Sequence, residues 1–278
     1  MAVLKSLFDF YLKSSIHVAL SVCAFQYAAF IFMELEPDEF VLLFTFLAAI
    51  SGYNFVKYAE RARWYHKSLP VELRRIQLFS LVCFIALVGV ALLLPFNTLA
   101  GFALLALLTL GYVVPMLPQA KSLRSLAGLK IFIVALVWAA ASVGIPLWHY
   151  GSLPGADQYI LFIQIFLTVF ALTIPFEIRD LDLDQPDLKT LPQTFGIKNS
   201  RNLGLAAIFV AAIMEGFKDG FYYVSNLYWL AMAVLIVIGL FRSSSKQSPY
   251  LAAFWIEAIP ILVLLILFLI VDLPLLLS

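Results

Sequence analysis

From residue 14 onward, long apolar runs alternate with short polar breaks. The runs are continuous and lack the strict alternation of a spanning β-strand, so they read as helices. Nine of them approach or exceed the ~20 residues a helix needs to cross a bilayer. They cover 14–35, 38–57, 76–95, 97–118, 128–149, 157–178, 201–217, 222–241 and 250–272. The first two are joined so closely that they form a predicted helical hairpin, and the seventh is the shortest. No room is left for a separate soluble domain, so residues 1–278 are expected to form one transmembrane unit.

Composition agrees with this pattern. Of 278 residues, 63% are hydrophobic and 13% charged, and the mean hydropathy is +0.99. That exceeds what a soluble core can bury and identifies an all-α, multi-pass membrane protein. Charge then orients it. With the amino terminus on the cytoplasmic side, 17 of the 18 basic residues fall on that side and Lys218 falls opposite. This is the positive-inside bias expected of nine passes. The first apolar run is too long for a signal-peptide core and has no small-residue cleavage site after it, so it reads as a retained span. In a bacterium the location would be the inner membrane.

The dense polar chemistry lies at the exits of the second, fourth and sixth predicted helices. The sixth ends in Glu177-Ile-Arg-Asp-Leu-Asp-Leu-Asp184, followed by Gln-Pro-Asp-Leu-Lys-Thr-Leu-Pro192. If the helix continues, Glu177, Asp180 and Asp184 share one face. Asp180 and Asp184 would then lie ~6 Å apart and repel by about 2–3 kcal/mol at a dielectric constant of ~20. Such a pair requires a metal ion or a basic neighbour. On the second helix Asn54, Lys57, Tyr58 and Arg61 recur at helical spacing. The fourth ends at Gly111-Tyr-Val-Val-Pro-Met-Leu-Pro118, with Lys121 and Arg124 beyond. Acids on one loop and bases on its neighbours suit a bound polyanion. For any single base, contact with lipid headgroups is the competing explanation.

These residues resemble the UbiA superfamily of intramembrane prenyltransferases, along essentially the whole chain. The second acidic motif of that family commonly reads N-x-R-D-x-x-x-D, then K-T-L-P, then L/F-G. Here Glu177-Ile-Arg179-Asp180, Asp184, Lys189-Thr-Leu-Pro192 and Phe195-Gly196 follow the same order. Tyr112, Pro118, Lys121, Arg124 and Lys130 match the fourth-helix exit. The resemblance implies nine helices around a central cavity that opens laterally to lipid. It also implies a cytoplasmic cap that binds an isoprenyl diphosphate through Mg²⁺, and transfer of the isoprenyl group to a lipophilic acceptor. Asp180, Asp184 and Glu177 become candidate metal ligands, and Asp180, Asp184 and Lys57 the candidate catalytic residues. Asn54, Lys57, Arg61, Lys121, Arg124 and Lys189 become candidate diphosphate-binding residues.

The first acidic motif of the family, N-D-x-x-D-x-x-x-D, is absent. With its asparagine on Asn54, the three aspartates fall on Phe55, Tyr58 and Ala62, and Glu60 lies on another face. Lys57 and Arg61 stand nearby instead. A diphosphate carries roughly three negative charges, of which one Mg²⁺ offsets about two. The expected site therefore uses one metal, or few, with Lys57, Arg61, Lys121 or Lys189 supplying the remaining positive charge. The alternative is a non-catalytic protein of the same fold that binds an isoprenoid or quinone-like lipid. Transport is a third reading, and no inverted repeat supports it.

Glu257 lies about 10 Å past Tyr250 in the ninth helix, one turn before Pro260. An acid at that depth needs a partner or a cavity, and with Tyr58 and Tyr112 it is a candidate acceptor-pocket residue. Cys23 and Cys83 have neither metal nor disulfide spacing. His17, His66 and His149 are scattered and read as interface residues. Ser243–Ser245 reads as a short loop, and no nucleic-acid motif is present.

Overall fold

A computed structural model describes residues 2–64, 71–113, 129–182, 189–219 and 223–276. Within them the chain is helical, with no strand. The helices are α1 (Ala2–Lys13), α2 (Ile16–Phe32), α3 (Glu39–Trp64), α4 (Val71–Ala91), α5 (Phe96–Val113) and α6 (Leu129–Ala139). They continue as α7 (Ile145–Tyr150), α8 (Ala156–Asp180), α9 (Leu191–Met214), α10 (Tyr223–Arg242) and α11 (Ile259–Leu276). Wide π-turns at Ala140–Gly144 and Leu251–Ile256 carry α6 into α7 and lead into α11.

The described part of each of the nine apolar segments is helical. Among the described residues, seven stretches are by themselves long and apolar enough to cross a membrane. An eighth is the bent pair Val3–Lys13 and Ile16–Phe32, whose axes meet at 53°; Phe96–Gly111 is apolar but shorter. The protein is thus an integral multi-pass membrane protein. Two boundaries differ from expectation. Residues 201–217 are the end of a 27-residue stretch that starts at Leu191. The Gln193 side chain accepts the Thr190 amide proton at 3.0 Å, and Pro192 sits in the first turn where its missing N–H costs nothing. Gly196, at φ 79°, then kinks the helix. Its polar first turns hid its true length.

The other unexpected element is α1. One face exposes Val3, Leu4 and Leu7, while Lys5, Asp9 and Lys13 interrupt the apolar run and hide it from a spanning-helix search. The bend into α2 is made at Ser15, which adopts left-handed φ 64°. That conformation costs a non-glycine residue about 1 kcal/mol or more. Buried Asn54 of α3 offsets the cost: its Nδ2 donates to the Ser14 carbonyl (2.9 Å) and to Ser80 Oγ (2.8 Å), and its Oδ1 accepts from Ser15 Oγ (2.8 Å).

Two apolar cores hold the bundle. The larger packs Phe25, Trp138, Ile165, Ile174, Trp229 and Met232 between α2, α6, α8 and α10. The smaller joins α2, α3, α4 and α5 through Phe30, Phe44, Ile50, Cys83 and Phe102. Helix α8 packs on both α6 and α9, and α2 packs on both α3 and α11. Close approach of α9 to its neighbours depends on Gly204, where an added Cβ would lie 2.8 Å from Ile174 and 3.1 Å from Leu240. The start of α2, the ends of α3 and α8, and the start of the last span thereby converge at one end of the molecule.

Candidate functional site

Lys57 is the centre of that end. It lies one turn past Tyr53 on α3, so both project to the same side. The ammonium donates to Ser15 Oγ at 2.9 Å and stands 5.7 Å from the centre of the Tyr53 ring. Lys57 is thus held against the bend between α1 and α2 while its side chain stays accessible. Tyr53 is fixed in turn by the Trp138 indole, which donates to its hydroxyl at 2.6 Å.

Glu257, partly buried at the start of the last span, lies within electrostatic reach of Lys57, Arg179, Tyr53 and Tyr11. The turn before it is a π-turn: the Glu257 amide reaches back to the Ala252 carbonyl at 3.3 Å. Such turns add a residue to the helical register and re-aim the side chains that follow. Arg179, at the end of α8, is also within reach of Lys57. It stacks 5.2 Å from the Phe176 ring and grips Asp180 with two hydrogen bonds, Nε at 2.7 Å and a terminal nitrogen at 2.9 Å. The basic neighbour that Asp180 requires is therefore the residue before it.

Glu177 has another task. It is 1% exposed, and its Oε2 accepts the Leu191 amide proton at 3.2 Å. A carboxylate at a helix amino terminus satisfies an orphan N–H and complements the helix dipole. Glu177 thereby braces α8 against α9 through one of its two carboxylate oxygens. Among the described residues no group of three or more His, Cys, Asp or Glu side chains is close enough to hold a metal ion. Asp180 is nevertheless suited to Mg²⁺: a hard oxygen donor, still accessible, with a lone pair left on each oxygen beyond the Arg179 contacts.

The other sequence candidates divide. Asp184, Lys121 and Arg124 lie outside the described residues. Arg61 and Tyr112 are helical positions of α3 and α5, with their side chains outside the described set. Tyr58 donates to the Lys13 carbonyl at 3.0 Å, tying α3 to the end of α1. Lys189 is exposed at left-handed φ 44°, immediately before α9.

Of the positions where the first motif would set its acids, Phe55 is 44% exposed, Tyr58 makes the contact just described, and the side chain of Ala62 lies outside the described set. His17, read from the sequence as an interface residue, joins α1, α2 and the Leu251–Ile256 turn through Tyr11 and the Phe254 carbonyl. Tyr11 was missed, because the amphipathic α1 had not been recognised as an element.

No protein-family model matches the chain, and no curated protein does. Solved structures do. A UbiA homologue from Aeropyrum pernix K1 superposes with a TM-score of 0.67 at 16% identity, over 93% of this chain and 98% of the other. A digeranylgeranylglyceryl phosphate synthase superposes with a TM-score of 0.53 at 18% identity, over 96% and 98%. At these identities it is the architecture that is shared, and it is shared from end to end: the chain has a UbiA-type fold.

Proposed function

We propose that the protein transfers an isoprenyl group from an isoprenyl diphosphate to a lipophilic acceptor, with Lys57 and Arg179 gripping the diphosphate. The observation that carries this reading is the meeting of two cations, Lys57 and Arg179, beside Asp180 at one end of the bundle, on a fold shared with a digeranylgeranylglyceryl phosphate synthase. Two like charges in a low-dielectric space are unfavourable alone and favourable around an anion. Asp180 and Asp184 would hold a single Mg²⁺, which offsets part of the headgroup charge and helps diphosphate depart. Lys57 supplies the charge that a second metal would bring, from a position where Ser15 and Tyr53 have already oriented it. The isoprenyl tail runs from this polar rim toward the apolar core, where Phe176 and Tyr53 offer ring faces to a developing carbocation.

Binding of tritiated geranylgeranyl diphosphate to the protein in lipid nanodiscs tests this directly. With Mg²⁺ present, wild type should bind saturably and with marked salt dependence. Asp180→Asn should lose at least ~10-fold in affinity, about 1.4 kcal/mol, and most of the response to Mg²⁺. Unchanged binding in the variant would remove the metal assignment. Binding without release of diphosphate, across a range of lipid extracts, would instead select a non-catalytic isoprenoid-binding protein.

A further inference from the structure

We infer that Ser15 is the positioning residue for the Lys57 ammonium, held in that task by Asn54 and Ser80 through one chain of hydrogen bonds. Its consequence for diphosphate binding rests on the reading of Lys57 as a headgroup ligand; the aim of the ammonium rests on the hydrogen bonds alone.

The chain runs in one direction. Ser80 Oγ donates to the Ile76 carbonyl at 2.8 Å, which commits its only proton. Its oxygen is left to accept from Asn54 Nδ2, also at 2.8 Å. The Ser14 carbonyl, which can only accept, takes the second Nδ2 proton at 2.9 Å. With both amide protons assigned, the orientation of the Asn54 amide is fixed and its Oδ1 faces Ser15. The Ser15 hydroxyl donates to it at 2.8 Å. The Ser15 oxygen then has only lone pairs to offer, and the Lys57 ammonium donates to it at 2.9 Å. From Lys57 to Ile76 every group donates in the same sense, and each bond polarises the next.

This wiring divides the residues into a front and a back. Asn54 has no proton left for an anion, whose oxygens only accept, so it stands behind Lys57 rather than beside a headgroup. The ammonium has three protons. One is engaged by Ser15, and the other two leave on the accessible side of Lys57. Ser15 and Asn54 are 0% and 4% exposed, so water does not compete for the chain.

The backbone gives the second line of support. Ser15 sits at φ 64°, a conformation that suits glycine. Serine there carries strain that glycine would remove, and strain of this kind marks a position where the side chain has work to do. What glycine lacks is the hydroxyl on which Asn54 and Lys57 meet. The same residue makes the bend between α1 and α2, so one side chain sets both the angle of α1 and the aim of Lys57.

Ser15→Gly and Ser15→Ala separate the hydroxyl from the strain, since both delete the hydroxyl and only glycine relaxes the backbone. In detergent, Ser15→Ala should unfold at a lower denaturant concentration than Ser15→Gly. In lipid nanodiscs with Mg²⁺, both should bind tritiated geranylgeranyl diphosphate about 10-fold more weakly than wild type, the worth of one charge-assisted hydrogen bond. Binding that follows stability, with Ser15→Gly at wild-type affinity, overturns the positioning role. Coupling is the sharper test. Lys57→Met combined with Ser15→Gly should bind no more weakly than Lys57→Met alone, because Ser15 acts through the ammonium. A further ~10-fold loss in the double variant would mean that Ser15 acts through the fold, and would end the inference. A third measurement needs no ligand. Trace acetic anhydride labels each lysine according to how freely its amine is presented. Relative to exposed Lys246, Lys57 should be labelled at least ~3-fold faster once the Ser15 hydroxyl is removed. Unchanged relative labelling in either variant ends the inference whatever the substrate. Failure of wild type to bind geranylgeranyl diphosphate ends the prenyl-transfer reading, and the labelling then decides the positioning of Lys57 alone.

Discussion

Lys57→Met should weaken binding of geranylgeranyl diphosphate by about 30- to 5,000-fold while the protein still folds. The range follows from truncating one partner of a largely desolvated charge contact, about 2–5 kcal/mol. Methionine preserves most of the apolar stem, so the contact beside Tyr53 survives and the loss reports the ammonium. Lys57→Arg should recover only part of the affinity, because a planar fork does not reproduce the geometry of a point charge held by Ser15. Equilibrium binding at several salt concentrations checks both. If Lys57→Met binds like wild type, the cation at this position has no part in holding the headgroup, and the proposed site loses its centre.

Lys218→Met should destabilise the fold by about 3–5 kcal/mol, the usual result of stranding one member of a buried ion pair. Lys218 and Glu215 are 6% and 3% exposed and lie 2.6 Å apart. The Lys218 ammonium also stands 5.8 Å from the Phe32 ring and 5.9 Å from Trp229. Gln164 donates to Glu215 at 3.0 Å, and one neutral amide cannot replace a cation. Glu215→Gln combined with Lys218→Met should recover much of the loss, because no charge is then left alone. Denaturant unfolding in one detergent compares the three proteins. Equal stability of the single and double variants would show that the pair is not coupled and that Lys218 acts through packing alone.

Lys218 also marks the limit of what sequence could reveal. Its isolation on one side of the chain was plain from the distribution of charge, and its burial against Glu215 was not. A pair three residues apart reads as an ordinary helix-end contact until α8 and α10 close over it. Much the same holds for the candidate site. The apolar runs placed the helices because membrane burial makes their hydrophobicity continuous. The Arg179-Asp180 and Lys-Thr-Leu-Pro signals were legible because they occupy fixed offsets at helix ends. The task of Glu177 was hidden, since its partner is a backbone amide 14 residues away whose geometry appears only when α9 starts. Tyr11 was missed because α1, interrupted by charges, lacks the pattern of a spanning helix.

The π-turn at Leu251–Ile256 has a consequence for how this chain can vary. An α-helix advances about 100° per residue, so deleting Trp255 would rotate Glu257 relative to Phe254 by that angle. The carbonyl that accepts from His17 and the carboxylate near Lys57 would then turn relative to each other. Point substitutions of outward-facing residues here should be mild, whereas a change of length by a single residue re-aims every side chain that follows. The number of residues in this turn, more than their identity, sets where Glu257 points.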